Sequence, residues 1–332
     1  MVNMQQVAEH AGVSRATVSR VLANHPSVTA ATRQKVLYWV DKLGYQPNLV
    51  AQSLAGNRSN ILAVVVPEIA YPFFSEILES IESQAFYAGY STLICNTCRS
   101  LEKEKNILNK LRQRQVDGVI AVPVSVEESP AAYHKLNIPT VMITKRVEGF
   151  CSIYISHYEG GAQIAKHFLS LGFQRIGYIG PIQQSTSALK YEGLRDYLQE
   201  NRVKLTDVIE CKAPANMNAN QVFANVKRYA TEHGIRAEAF LANDDITACE
   251  AVAAFRELGL SVPQDVAISG FDNSLLAKEM NPKLTSVAQP LQEIAQKAVD
   301  VLLEQIREPS PARMYEMPSR VAARESTLCW KE

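Results

Sequence analysis

The sequence predicts an all-α head over residues 1–46, a hinge over 47–59, and an α/β body over 60–332 built from two doubly wound parallel-sheet lobes. Three observations predict it. Two short helical patterns joined at a glycine open the chain. From Ile61 onward, strand-like and helix-like segments alternate, and the alternation restarts halfway, as two similar parallel-sheet lobes require. The charge is also divided. Residues 1–60 carry Arg15, Arg20, Arg33, Lys35, Lys42 and Arg58 against Glu9 and Asp41, six minus two, or +4. The rest carries 28 basic and 32 acidic residues, or −4, so a neutral total conceals a basic head on an acidic body. A chain of 332 residues also exceeds what one compact core usually holds.

In the head, Asn3 caps a helix through Ala11, with Gln6 three residues on completing a capping box. Val7, Ala8 and Ala11 form its inner face. Gly12 supplies the positive φ of a tight turn. Ser14 caps a second helix to about Leu22, with Val18, Val21 and Leu22 inward and Arg15, Ala16, Ser19 and Arg20 outward. Thr29 caps a third helix ending near Leu43, with Val36, Leu37 and Val40 inward, and Gly44 stops it. This is a helix-turn-helix pattern, whose second helix enters the major groove in DNA-binding proteins. The outward residues suit that use. Arginine donates two parallel hydrogen bonds to guanine, Ala16 allows close approach, and Thr17 and Ser19 are short enough to bond phosphate. A three-helix domain with a merely solvated basic face fits the same pattern.

In the hinge, Pro47 begins one short helical stretch, Asn48 to Ala55, ended by Gly56. A helix this short does not persist alone in water. In the body, "ILAVVVPE" reads as a buried parallel strand and "FFSEILESIESQAFYAG" as an amphipathic helix. "YSTLICN", "VDGVIAVPV" and "IPTVMI" continue as strands, with "LEKEKNILNKLRQRQ" as a helix between the first two. After the restart, "EGGAQIAKHFLSLG", "LKYEGLRDYLQEN" and "ITACEAVAAFRELG" are helices, and "RIGYIG", "AEAFLAN" and "VAISGFDN" are strands.

Several function classes are excluded by what the chain lacks. No P-loop appears, and no GxGxxG follows a strand. The histidines at 10, 25, 134, 157, 167 and 233 show no metal-ligand spacing, and the CxxC of Cys95 and Cys98 has no second ligand pair. The six cysteines read as reduced, structural thiols. The Ser156–His157 pair reads as neighbours on a strand, facing opposite ways. No catalytic residue, cofactor or metal is expected. No apolar run is long enough to span a membrane, and no secretory signal precedes the head, so a cytoplasmic, non-membrane protein is expected.

The run "MQQVAEHAGVSRATVSRVLANHPSVTAATRQKVLYWVDKLGYQPNLVAQSLAG" closely resembles the DNA-binding head and hinge of LacI/GalR-family transcription regulators. The resemblance implies base-reading positions at Arg15, Ala16 and Arg20. It implies phosphate contacts at Thr17, Ser19 and Asn24, a minor-groove wedge at Leu54, and neighbouring hinge contacts at Asn48 and Ala51. The body resembles the family's periplasmic-binding-protein-like effector domain, with lobe 1 over about 60–157 and 288–318 and lobe 2 over about 158–287. Its ligand cleft lies beyond the strands' carboxyl ends. By resemblance, Phe73, Phe74 and Ile77 pack on the ligand, and Lys190, Asn243 in "LANDD" and Asp272 in "SGFDN" bond it. Two departures stand out: Lys190 occupies the place of a usual arginine, and Ser156–His157 that of a common Asp-Asn.

The resemblance implies a homodimeric regulator of transcription, a repressor of carbohydrate-utilisation genes. It would read a pseudo-palindromic double-stranded operator under control of a small effector: a sugar, sugar phosphate or sugar acid. Some relatives bind DNA only with ligand, so the sign of control stays open. The end "STLCWKE" adds no heptad helix, so a dimer is expected rather than a tetramer. The alternative is a soluble sugar-binding module with no DNA-binding role.

Overall fold

The computed structural model describes residues 2–22, 24–45, 58–183, 185–211 and 221–328. The chain divides into two compact units, Met1–Ser59 and Asn60–Glu332.

In the first unit, α1 spans Met4–Ala11, α2 Arg15–Leu22 and α3 Ala30–Lys42. The capping box forms: Gln6 N–H donates to Asn3 Oδ1 at 3.0 Å, and Asn3 N–H donates to Gln6 Oε1 at 2.9 Å. Gly12 adopts φ 60° and turns the chain into α2. Val7, Ala8, Ala11, Val18, Val21 and Val36 close one core. Leu37 corrects the expected inner face of α3: it is 46 % exposed. The inward stripe runs instead through Val36, Trp39, Val40 and Leu43, whose spacing of three and four keeps one face of a 3.6-residue helix.

The second unit carries two six-stranded sheets. The first contains β1 (Ile61–Val66), β2 (Ser91–Asn96), β3 (Gly118–Ala121), β4 (Thr140–Ile143), β5 (Cys151–Ile155) and β11 (Met314–Met317), in the order β2-β1-β3-β4-β5-β11 and parallel throughout. The second contains β6 (Ile176–Gly180), β7 (Leu205–Glu210), β8 (Ala239–Ala242), β9 (Ala267–Asp272), β10 (Thr285–Ala288) and β12 (Arg320–Ala322). Its order is β7-β6-β8-β9-β10-β12, and only β12 is antiparallel. Both sheets therefore reverse strand order at the same place, between β1 and β3 and between β6 and β8, where crevices open in doubly wound sheets.

The chain crosses between lobes three times: after β5, after β10 and between β11 and β12. The last crossing returns the chain to the second lobe. There Arg324 donates to the carbonyl of Leu284, and Ser326 Oγ to that of Ile268. Sequence periodicity misses β5, β7, β10, β11 and β12, and the helices Pro130–Leu136, Gln221–His233 and Leu291–Arg307. For β10 the reason is chemical. Thr285 and Ser286 are fully buried yet polar, because the Thr327 hydroxyl and the Asp245 carboxylate pair with them.

Candidate functional site

The outward face of α2 is built as its sequence requires. Val18 and Val21 are buried, while Arg15, Ala16, Ser19 and Arg20 are exposed and Thr17 is half-buried. Ser14 Oγ accepts from Thr17 N–H at 3.1 Å and fixes the helix start. At the other end Arg33, from α3, donates to the carbonyls of Val21 (3.4 Å) and His25 (3.0 Å) and to Asn24 Oδ1. One guanidinium thus adds a charged donor to the carbonyls at the helix end and ties α2 to α3. Asn24, at φ 54°, is exposed, but its side-chain oxygen is occupied by Arg33. The hinge residues Asn48, Ala51 and Leu54 lie outside the described residues.

In the body, polar side chains gather beyond the carboxyl ends of both sheets. Lys190 is buried. Its Nζ donates to the carbonyl of Asn243 at 2.8 Å and sits 4.0 Å from the centre of the Phe271 ring. A lysine buried this way is held by a carbonyl dipole and an aromatic face. Asp272, with φ 99°, is also buried; its Oδ1 accepts from Gln289 Nε2 at 2.7 Å. Burial raises its pKa to about 6 against the lowering pull of Lys190, and Asp244 and Glu76 push the same way as burial. Asn243 donates from Nδ2 to Asp244 Oδ2 at 2.7 Å, and Asp244 Oδ1 caps the helix Asp245–Glu257 by accepting from Thr247 N–H at 2.8 Å. Lys190, Asn243 and Asp272 therefore come together.

Phe73, Phe74 and Ile77 do not form one ligand-facing group. Ile77 is fully buried in the main core of the body, and Phe73 is buried at the start of the helix Pro72–Tyr87. Helix periodicity explains it: Phe73 and Ile77, four apart, share the inward face. Phe74 is half-buried, edge-on to Phe73 and 5.8 Å from the ring of Tyr71. Nor does Ser156–His157 continue a strand. Ser156 caps the helix His157–Ser170 by accepting from Glu159 N–H at 3.1 Å. His157 stacks on Phe271 with centroids 5.6 Å apart and planes 7° from parallel. Burial, with Lys190 nearby, drives its pKa down to about 3, so the ring is neutral at physiological pH.

Four groups escape sequence reasoning. Tyr71 belongs to the first lobe yet lies close to Asp244 of the second; burial and the Asp244 and Asp272 charges raise its pKa well above 10. Arg99 lies over the Tyr71 ring at 5.8 Å and pairs through Nε with Glu68 at 3.1 Å. Lys145 donates to the carbonyl of Pro123 at 2.9 Å. Gln289 follows β10 and presents a buried Oε1 with no partner among the described residues. Each lies one to five residues past the end of a parallel strand, and that position is the signal that could have found them. Among the described residues no three His, Cys, Asp or Glu side chains converge as metal ligands, and no helix is long and apolar enough to cross a membrane.

Known proteins share both parts. Residues 3–48 match the bacterial regulatory proteins of the lacI family, and residues 165–327 match a periplasmic binding protein-like domain. The ribose operon repressor of Halalkalibacterium halodurans is 32% identical over 330 residues, covering 98% of this chain and 97% of that protein. Among solved structures, the lac repressor dimer bound to operator and the anti-inducer ONPF has a TM-score of 0.88 at 30% identity, covering 99% of each chain. A periplasmic binding protein/LacI transcriptional regulator from Alkaliphilus metalliredigens QYMF, complexed with D-xylulofuranose, has a TM-score of 0.72 at 27% identity, covering 81% of this chain and 99% of its own. With the exposed basic face on α2 and the polar cleft of a two-lobed body, these matches mean that the chain belongs to the lacI family of DNA-binding transcription regulators.

Proposed function

We propose that the chain is a cytoplasmic, non-catalytic, homodimeric repressor of carbohydrate-utilisation genes, with head, hinge and body at 1–46, 47–59 and 60–332. Two heads read a pseudo-palindrome, one half-site each. Arg15, Ala16 and Arg20 face base edges, and Thr17, Ser19 and Asn24 face phosphates. The observation that carries this reading is the α2 face: Arg15, Ala16, Ser19 and Arg20 stand exposed while Val18 and Val21 seat the helix. Asn48, Ala51 and Leu54 serve the minor groove as the hinge orders on DNA.

The body binds a small hydroxylated, sugar-like effector through Lys190, Asn243 and Asp272, with Phe74 as an apolar wall. Lys190 and Asp272 both sit next to Phe271 or Gln289 in a setting that excludes water, where charged hydrogen bonds gain strength. Effector binding shifts the lobes and weakens DNA binding, and operator weakens effector by the same factor.

The test is selection of duplexes from random sequence by the full-length protein, followed by titration at several salt concentrations. The expected result is a palindromic consensus and an affinity falling linearly in log–log salt plots. Absence of any salt-dependent duplex binding overturns the reading.

A further inference from the structure

The two walls of the cleft offer opposite chemistry. On the second lobe the unused groups are acceptors. Gln289 Oε1 is buried and unpartnered, and Asp272 Oδ2 has no hydrogen-bond partner among the described residues, since Gln289 engages only Oδ1. Lys190 lies beside Asp272 on this wall, and the Asp244 carboxylate is also close.

On the first lobe the unused groups are donors, and two cations, Lys145 and Arg99, lie near each other. Lys145, two residues past β4, gives its ammonium to the carbonyls of Pro123 (2.9 Å) and Val124 (3.5 Å) at the end of β3. No carboxylate forms an ion pair with it among the described residues. Burial lowers its pKa to about 8; the charges of Glu104 and Glu127 oppose that fall, and the charge of Arg99 adds to it. It still carries its proton at neutral pH. A desolvated ammonium with no anion in direct contact gains from one that a ligand brings. Arg99, three residues past β2, spends only Nε on Glu68; its Nη groups have no partner among the described residues. Two successive left-handed residues, Cys98 at φ 50° and Arg99 at φ 58°, turn the chain there, and the guanidinium lies over Tyr71. Thr97, beside them, has a fully buried hydroxyl with no partner.

We propose that the ligand of this cleft is a sugar acid: its carboxylate is held by Lys145 and Arg99, and its hydroxyls donate to Asp272 and Gln289. The inference rests on the reading of the cleft as the effector site. A neutral sugar would bring no anion into direct contact with Lys145 or with the unengaged Nη groups of Arg99. A second acidic group on the ligand would meet the Asp272 wall, where like charges repel. A fork such as Arg99 matches a planar carboxylate in two parallel hydrogen bonds.

Calorimetric titration of the full-length protein tests this with three pairs: D-gluconate against D-glucose, D-glucuronate against D-glucose, and D-ribonate against D-ribose. At least one acid should bind about tenfold or more tighter than its neutral counterpart. Lys145→Met should abolish that preference, whereas Lys145→Arg should retain it. If Lys145→Met fails to fold, Arg99→Gln is read by the same ratio. D-ribose 5-phosphate binding above all three acids supports the cationic wall but moves the ligand to a phosphate ester. Equal or tighter binding of the neutral sugars overturns the acid proposal and leaves the effector cleft standing. No binding by any probe overturns both.

Discussion

The carbonyl oxygen of Tyr158 lies 1.9 Å from where a Cβ on Gly193 would stand. The carbonyl oxygen of Lys190 lies 2.1 Å from a Cβ built on Gly161. These two glycines let the helices His157–Ser170 and Ser185–Glu200 touch backbone to backbone. The contact sets the height of Lys190 over Phe271. Gly193→Ala cannot be relieved by a side-chain rotation, because the obstacle is main chain. It should cost roughly 1–3 kcal/mol of stability, as overpacking does, and displace Lys190. Urea unfolding and effector titration check both parts; unchanged effector affinity would show that the helix contact does not position Lys190.

Arg20 and Arg33 separate reading from scaffolding. Arg20 is exposed on α2, and Arg33 holds the end of that helix through Val21, Asn24 and His25. Arg20→Ala should leave thermal stability within about 0.5 kcal/mol and relax one base position by roughly 1–3 kcal/mol. Arg33→Ala should lower the stability of the head by roughly 1–3 kcal/mol, because two carbonyls and an amide lose a charged donor. It should also weaken all duplexes alike. Duplex selection with both variants distinguishes them. A preserved consensus in Arg20→Ala removes Arg20 from base readout.

Acid stability exposes the buried groups. With a pKa near 3 instead of 6.5, His157 stays neutral in the fold while the unfolded chain takes a proton. Its contribution is therefore lost as pH falls through 6.5, at roughly 1.4 kcal/mol per pH unit. Asp272 and Asp245 have the opposite sign: raised to about 6 and about 7, they take up protons in the fold first, so they favour it as pH falls. Replacing His157 by Gln should make folding stability rise more steeply on acidification than in the parent, by roughly 1.4 kcal/mol per pH unit between pH 6 and 4. Parallel stability curves from urea unfolding at pH 6, 5 and 4 would refute the buried neutral histidine. The same protonation of Asp272 should weaken effector below pH 6, where its carboxylate ceases to accept.

Much of this was legible in the sequence, for physical reasons that differ by region. The head is legible because its signals are local: Asn3 with Gln6, Gly12, Ser14 and Thr29 each act within four residues. Long apolar strands such as β1 are legible because burial on both faces leaves an unbroken run. Leu37 is not, because it lies one step off the stripe through Val36, Trp39, Val40 and Leu43, and only packing selects that phase of α3. Ile77 and Phe73 are not separable from Phe74 by sequence either, since only helix phase and packing turn those two inward. Tyr71, Lys145 and Gln289 owe their roles to partners on other strands or on the other lobe, which no short window of sequence contains.

The cross-lobe contact of Glu76 follows from that last point. Ser274 precedes the short helix Leu275–Glu279 but does not cap it; its hydroxyl donates to Asp245 Oδ2 at 2.8 Å instead. The N–H of Leu275 is met by Glu76 Oε1 at 2.6 Å, a carboxylate from the first lobe. A helix start in one lobe is therefore satisfied by the other. Removing a cap costs about 1 kcal/mol, so Glu76→Ala should shift the closed form by roughly fivefold and weaken effector by a similar factor. Hydrogen exchange of the Leu275 amide should quicken correspondingly, while the amides of β1 stay protected. Unchanged exchange at Leu275 would mean that the cap does not hold the lobes together.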